Sequence, residues 1–307
     1  MSSSAFSQRL KEPRMVRGLT KEEVCEDEAH LSVRQLTRLE AGKSQPTLAT
    51  MEYLADRLQV GLAELTGKIE SAQELPAAYQ KLKYNLIRTA TYGDPELILQ
   101  VENTLDQVFD NYYDDLPRKE QVIIDIIHSR MCIATSGDKS YGKTLFEASV
   151  DDLKKKQIYD VNDIYLIKLY QTYFDVEDVV AEDFDIDLFN IFSKHLLNSV
   201  NFISSDYLFL LRDTLLMTSY IEIARKQTLY TETIIQTLNN MMDVTQDFQK
   251  EPLVKMLEWK YQLLKGAELE QAKPLFEEAI LLAKLFKNDF LAMKLTEEWE
   301  ADVKEYT

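Results

Sequence analysis

Two arginines stand four residues apart in a short polar segment, "LSVRQLTRLEAGKSQPTL", which spans residues 31–48. This spacing places Arg34 and Arg38 on one face of a helix, while Leu36 and Leu39 point to the opposite side. A guanidinium group can donate two hydrogen bonds to O6 and N7 of one guanine, the commonest specific contact in the major groove of DNA. An ordinary solvated helix face is the alternative.

The charge of the chain restricts where such a contact can be made. The 307 residues carry a net charge of −17, but residues 1–66 contain 9 Lys and Arg against 10 Asp and Glu. The remainder therefore carries almost all of the negative charge and would repel nucleic acid. If the protein binds DNA, the first 66 residues must do so.

The residues that usually support catalysis or metal binding are scattered. His30, His128 and His195 lie far apart, and Cys25 and Cys132 have neither metal-site nor disulfide spacing. The chain contains no glycine-rich phosphate loop. We therefore expect no catalytic residue, no metal site and no cofactor, and an enzyme is disfavoured.

The chain also lacks membrane and export signals. No apolar run approaches the roughly 20 residues of a membrane-spanning helix. The beginning, "MSSSAFSQRLKEP", lacks the apolar stretch of a signal peptide. These features predict a cytoplasmic protein without a membrane partner.

Residues 5–66 have the punctuation of five short helices. The first runs from Ala5 to Val16 and contains Pro13, which predicts either a kink or a separate arm before the proline. Capping residues open the next three helices, namely Thr20 with Glu23, Ser32 with Gln35, and Thr47 after Pro46. The last helix begins at Gly61 and ends near Thr66.

The rest of the chain reads as consecutive helices with short polar breaks, which is typical of an α-solenoid. Ala272, Phe276 and Ala279 have the spacing of the second helix of a tetratricopeptide repeat, and Trp259 would belong to the first. A helix from Asp289 to Tyr306 would cap the array. We predict an all-α protein with a DNA-binding domain at 1–66, a linker at 67–74 and a repeat domain at 75–307.

Polar residues within the predicted inner helices are candidates for binding an extended peptide. They are Asn85, Arg88, Asn198, Asn201 and Arg212. An asparagine side chain can pair with both the N–H and the C=O of a peptide backbone. Surface or capping roles are equally compatible with each residue, and Arg212 could instead pair with Asp213.

The first domain resembles the XRE-type helix-turn-helix, through Gly-Leu-Thr before the second helix, Leu-Glu-x-Gly-Lys closing the third and Pro-Thr-Leu opening the fourth. In that family the third helix enters the major groove. The resemblance implies base contacts by Val33, Arg34, Gln35 and Arg38. It implies phosphate contacts by Thr20, Lys21, Ser32, Lys43 and Ser44. Gln35 could instead close the cap onto Ser32, and Arg14 would pair structurally with Glu40.

The combination of domains is similar to the Rgg and PlcR peptide-sensing regulators (the RRNPP group), and in particular to the ComR-type regulators of streptococci. "EVCEDEAHLSVRQLTRLEAGKSQPTL", "YQKLKYNLIRTATYGDPELI" and "LEWKYQLLKGAELEQAKPLFEEAILLA" carry this resemblance. It implies a transcription factor that binds a short, imported, hydrophobic signalling peptide. It also implies a homodimer on promoters of competence or bacteriocin genes. The alternative is an XRE-type regulator whose repeat domain docks a protein partner.

An acidic body beside a basic recognition helix suggests a resting state in which Arg34 and Arg38 rest against carboxylates. Asp110, Asp114 and Asp115 are the candidate acids for this inhibitory lock. The alternative is that Asp114 and Asp115 cap the helix that ends before Pro117.

Overall fold

The computed structural model describes residues 3–26, 28, 30–44, 46–61, 65, 75–89, 91, 94–174 and 184–307. Within these ranges the regular elements are sixteen α-helices and two 3₁₀ turns, with no strand, so the all-α prediction is confirmed. The predicted linker, the domain boundary at residue 66 and most of the predicted fifth helix lie outside the described residues.

The first four helices are α1 (Ser3–Val16), α2 (Lys21–Cys25), α3 (Val33–Glu40) and α4 (Leu48–Arg57). Pro13 lies inside α1, so the separate arm is wrong: the helix continues through the proline. Pro13 lacks an N–H group and cannot complete the helical bond to the carbonyl four residues earlier.

Local hydrogen bonds begin these helices where the sequence predicts them. The Thr20 hydroxyl accepts from Glu23 N, and Thr20 N donates to the Glu23 carboxylate. Ser32 and Gln35 form the same reciprocal arrangement at α3. Both capping boxes are thus confirmed, and each occupies backbone groups that a helix cannot bond internally.

The remaining α-helices are α5 (Ala77–Arg88), α6 (Pro95–Asn111), α7 (Arg118–Ser136), α8 (Lys143–Glu147), α9 (Val150–Lys155), α10 (Val161–Thr172), α11 (Ile186–Ser199), α12 (Leu208–Ala224), α13 (Thr231–Thr245), α14 (Glu251–Leu264), α15 (Leu269–Leu285) and α16 (Asp289–Tyr306). The 3₁₀ turns are Tyr113–Asp115 and Ser205–Tyr207. Helices α7, α10, α12, α14 and α16 pack side by side in that order and form one layer of the solenoid. No helix of the described ranges is long and apolar enough to cross a membrane.

The last repeat has the predicted packing. Ala272 and Ala279 are fully buried, so α14 and α15 approach closely. The Trp259 ring lies edge-on to Phe276 with centroids 5.7 Å apart, and its Nε1 donates to Asp302 at 2.8 Å. Asp302 belongs to α16, whose bounds are those predicted for the capping helix.

The two parts of the chain have separate hydrophobic cores. One buried cluster extends from Phe6 to Leu65, and the other from Tyr79 to Leu295. At one point the parts come close: a Cβ atom on Gly18 would lie 2.9 Å from the backbone oxygen of Lys155. Gly18 also has a φ of +66°, so a larger residue is disfavoured twice at this position.

Candidate functional site

The outer face of α3 carries two exposed arginines. Arg34 and Arg38 are both exposed, and neither forms a hydrogen bond or an ion pair with another residue that the structure describes. Leu36 and Leu39, on the opposite face, are buried in the domain core. The helix is therefore fixed from behind while two bidentate donors point into solvent.

The C-terminal end of α3 is held by a partly buried ion pair. Arg14 donates from Nε to Oε1 of Glu40 at 2.6 Å and from a terminal nitrogen to Oε2 at 3.1 Å. Its third nitrogen donates to the carbonyl of Leu19 at 2.8 Å. The structure thus contains the pair that the helix-turn-helix resemblance implies, and this pair fixes α1 against α3.

Several predicted DNA contacts already have partners inside the domain. Lys21 Nζ donates to Thr37 at 3.1 Å and lies 3.6 Å from the Glu40 carboxylate. Ser32, Gln35 and Thr20 use their side-chain oxygens in the capping boxes. Their roles toward DNA stay predictions, and Gln35 adopts the capping alternative in this structure.

The other predicted contacts differ in exposure. Val33 is half-buried and packs against the domain core, which leaves only part of its side chain for a thymine methyl group. Lys43 is exposed, and Ser44 is half-buried. Lys43 therefore has its side chain in solvent, and its phosphate contact stays a prediction.

The predicted inhibitory lock is not formed in this structure. Asp110, Asp114 and Asp115 are exposed, and none forms an ion pair with Arg34 or Arg38. The capping alternative is also not observed, because Asp114 and Asp115 lie in a 3₁₀ turn and α6 has already ended at Asn111.

A cavity of about 440 Å³ is lined by the layer that contains α7, α10, α12 and α14, which we call the inner layer of the solenoid. Residues of α5, α6, α7, α10, α12 and α14 surround it, so stacking of the repeats creates it. Its apolar walls include Leu86, Ile127, Met131, Leu216 and Leu257. This volume lies within the range of about 300–1,000 Å³ that is common for ligand-binding pockets.

Charged groups lie among these apolar walls. The Asp213 carboxylate forms ion pairs with three cations. Its oxygens lie 3.8 Å from Lys168 Nζ, 3.4 Å from Arg212 Nε and 4.0 Å from Lys250 Nζ. Asp213, Lys168 and Lys250 line the cavity together with Arg130. Buried charges of this kind need partners, because removal from water is costly.

Burial changes the titration of these groups. It lowers the pKa of Lys168 to about 7, although Asp213 acts in the opposite direction. Burial alone would raise the pKa of Asp213, but Lys250, Lys168 and Arg212 lower it overall. Burial also lowers the pKa of Arg130, which nevertheless stays a cation because guanidinium is so basic.

A second cavity, of about 350 Å³, adjoins the first and shares Asp213 and Lys250 with it. Arg88 and Arg212 line it, and both bind one oxygen of Asp247 at 3.0 Å. The guanidinium of Arg88 also lies over the Phe209 ring, 4.9 Å from its centroid. The two arginines therefore face the ligand space but are already bound to an acid.

The three predicted asparagines line neither cavity. Asn85 is exposed on α5. Asn198 donates to the carbonyl of Gln157 at 3.4 Å, and Asn201 is exposed just after α11. Helix α11 contributes to neither cavity, so Asn198 and Asn201 lie away from the ligand space, and α5 directs Asn85 outward.

Sequence reasoning missed Arg130, Tyr165, Lys168 and Lys250, which all line the first cavity. One of them left a usable signal. Lys168 interrupts the apolar run "IYLIKLY", as Arg212 interrupts "YLFLLRDTLLM". A cation within an apolar helix predicts an inward-facing charge, so Lys168 carries the same signal as the predicted residue Arg212.

An exposed recognition helix followed by a solenoid with an inner cavity defines an all-helical protein with helix-turn-helix and tetratricopeptide-like parts. The family model described as ComR tetratricopeptide matches residues 76–299. The chain belongs to the ComR family.

Solved structures agree with this assignment. ComR from Streptococcus suis is 37% identical, with 98% of this chain and 96% of that chain covered and a TM-score of 0.59. ComR from Streptococcus vestibularis in complex with its cognate signaling peptide XIP is 26% identical over 98% and 99%, with a TM-score of 0.67. ComR from S. thermophilus in complex with DNA and its signalling peptide ComS shares the fold at 24% identity over 97% and 99%, with a TM-score of 0.66. A search of curated proteins found no match.

Proposed function

We propose that this chain is a cytoplasmic transcription regulator that senses a short hydrophobic signalling peptide and is not an enzyme. Residues 1–66 would bind double-stranded promoter DNA, residues 67–74 would be the linker, and residues 75–307 would bind the peptide. The observation that carries this proposal is the apolar inner cavity of about 440 Å³ in a chain whose recognition helix is exposed. The peptide complex of the S. vestibularis relative supports it.

On the DNA side, Arg34 and Arg38 would read bases in the major groove, and Lys43 would bind a phosphate. Both arginines are exposed on a helix whose other face is buried in the domain core. They can therefore enter the groove while the core packing of the helix stays intact. A near-palindromic DNA site is read by two recognition helices related by a twofold axis, and we therefore propose a homodimer on near-palindromic promoters of competence or bacteriocin genes.

On the peptide side, the cavity favours a small apolar ligand over a docked protein. A protein partner would need a broad surface of about 800 Å² on this chain. The cavity instead is a concave space with apolar walls and a few convergent polar groups, as in small-ligand sites.

Filling the cavity is the test of the peptide role. Ala134 is exposed and lines the cavity, so Ala134→Trp would occupy ligand space without disturbing the core. The probe is a pool of synthetic seven-residue peptides of apolar amino acids, retained on the immobilised full-length chain and identified by mass spectrometry. We expect retention by the natural chain and loss of retention by the variant. Equal retention by both would place peptide binding elsewhere and overturn the proposal.

The DNA role is tested with duplexes selected from a random pool by the full-length chain. Retained peptides should change the affinity for the selected duplex, measured by fluorescence anisotropy, and Ala134→Trp should abolish this response. A chain that selects no duplex, with or without peptides, would contradict the proposed regulator.

A further inference from the structure

One hydroxyl group at the inner cavity has no hydrogen-bond partner among the described residues. It belongs to Tyr165, which lines the cavity from α10 and is only 2% exposed. Burial raises the pKa of Tyr165, so the group stays a neutral O–H that can donate. Buried hydroxyls without a partner are rare in folded proteins, and this one faces ligand space.

Two cations line the same cavity as this hydroxyl. Lys168 follows Tyr165 by three residues on the same face of α10, and Arg130 approaches from α7. The Arg130 charge interacts with Tyr165, and it also adds to the lowering of the Lys168 pKa. Arg130 and Lys168 therefore repel each other across a small region.

The neighbouring acids do not neutralise this region. Five basic side chains line the two adjoining cavities, namely Arg88, Arg130, Lys168, Arg212 and Lys250. Among the described residues, Asp213 and Asp247 form ion pairs with members of this set. Arg130 itself bonds only through Nε, to Thr172 at 3.0 Å, and forms no ion pair with a described residue. Basic side chains thus outnumber acidic ones among the described residues that line the cavities, and the Tyr165 hydroxyl adds a hydrogen-bond donor there.

We propose that Tyr165, Arg130 and Lys168 form a subsite for a carboxylate group of the bound peptide, and that this group is the free C-terminus. The inference rests on the proposed peptide-binding function and names the chemical end of the peptide that the cavity recognises. A carboxylate here would accept from the hydroxyl and from both cations, and charge-assisted hydrogen bonds of this kind are the strong ones.

The surroundings favour a chain terminus over an acidic side chain. Leu86, Met131, Leu216 and Leu257 line the same cavity, so the group that enters must combine an anion with apolar side chains. The last residue of an apolar peptide has this combination on a single residue. An inorganic anion would leave the apolar walls without a partner.

The experiment compares the two ends of the same peptides. The pool of apolar seven-residue peptides is made once with free C-terminal acids and once, isotope-labelled, with C-terminal amides. Equal amounts compete for the immobilised full-length chain, and mass spectrometry gives the retained ratio. We expect acids to exceed amides by about ten- to a hundredfold, the value of hydrogen bonds to a charged group.

Three variants assign the preference to the subsite. Tyr165→Phe and Lys168→Met should each reduce the acid-to-amide ratio several-fold. Tyr170→Phe is the matched control: its hydroxyl is also buried on α10 without a hydrogen-bond partner among the described residues, but Tyr170 does not line the cavity. The control should keep the ratio of the natural chain. An equal fall in Tyr170→Phe would show that the ratio reports stability and would overturn the subsite.

Further outcomes separate this inference from the proposed function. Equal retention of acids and amides, with both lost in Ala134→Trp, would overturn the carboxylate subsite and leave peptide sensing in place. A third pool of amides that each contain one Asp or Glu tests the source of the carboxylate. Retention of that pool at the level of the acids would overturn the assignment to the C-terminus. No retention of any pool would overturn the proposed function itself.

Discussion

The DNA-binding domain and the inner cavity use arginine in opposite ways. On α3, Arg34 and Arg38 are exposed to solvent, while the half-buried Arg14 of α1 forms a bidentate ion pair with Glu40. In the cavity, Arg130 and Lys168 are withdrawn from water, and several cations share Asp213 and Asp247. An exposed cation requires no partner, whereas a buried one is costly until an anion arrives.

This difference explains how one chain can hold two kinds of site. The exposed face of α3 is ready for a polyanion at any time, and its binding will depend on salt. The cavity is poised for one small anion in a place with little water, where each contact is stronger. The predictions below test this contrast, from the largest expected effect to the smallest.

The largest effect is expected at the shared acid of the cavity. Asp213→Asn should lower the free energy of unfolding by about 3–5 kcal/mol, because it leaves buried cations without their carboxylate. Both tryptophans, Trp259 and Trp299, lie in the repeat domain, so their fluorescence in urea measures this loss. The exposed Asp110→Asn should change stability by less than about 0.5 kcal/mol. Equal stability of the two variants would contradict the view that the cavity cations depend on the Asp213 carboxylate.

Glu40→Gln should destabilise the DNA-binding domain by about 1.5–3 kcal/mol, because the Arg14 guanidinium loses a bidentate charged partner. Hydrogen exchange followed by mass spectrometry should show faster exchange in α1 and α3. The two cores are separate, so peptides from α10 to α14 should exchange as before. Faster exchange throughout the chain would mean that both domains unfold together.

Arg34→Ala should weaken binding to a selected duplex by about 1–3 kcal/mol and relax the preference at one base pair. Lys43→Ala should weaken every duplex alike and reduce the salt slope by about 0.9. Titrations at several salt concentrations measure both effects. The base-reading role fails if Arg34→Ala costs as much affinity for a random duplex as for the selected one.

Peptide binding should weaken as pH rises through neutrality. The folded pKa of Lys168 is about 7, below its ordinary 10.5, so the free receptor loses this proton near pH 7. A bound carboxylate favours the ammonium, and binding then takes up a proton. Affinity for acid peptides should therefore fall by up to about tenfold per pH unit above pH 7. Asp213, Arg130, Lys250 and Arg212 face the same ammonium.

Lys168→Met supplies the control for this pH dependence. The variant has no proton to release at this position, so its affinity should vary little between pH 6 and pH 8, as measured by calorimetry. An unchanged pH profile in the variant would assign the titration to another group.

The smallest effect concerns the predicted lock. Asp114→Lys combined with Asp115→Lys should strengthen peptide-free DNA binding by only about 0–1 kcal/mol for each contact that forms, because these acids are exposed. Anisotropy with the selected duplex, with and without peptide, measures the change. A double variant with unchanged peptide dependence and an intact fold would remove these acids from the lock.

Prediction from sequence succeeded where short-range chemistry decides the structure. The capping pairs Thr20–Glu23 and Ser32–Gln35 form over three residues, so their types and spacing were sufficient. It did not place Asn198 and Asn201 relative to the two cavities, because a polar residue on a helix does not reveal which layer of a solenoid that helix will join. Here Asn198 bonds to a neighbouring loop and lies away from the cavity.

The sequence by itself determined where α2, α3 and α4 begin, the arginine face of α3, the repeat pair of α14 and α15 and the capping helix α16. Each follows from local hydrogen bonds or from the 3.6-residue period. Only the tertiary structure decided the cavity and its charge, because Arg130, Lys168, Asp213 and Lys250 come from separate helices that meet when the repeats stack. Burial then gives these groups properties that no local pattern encodes, above all the lowered pKa of Lys168.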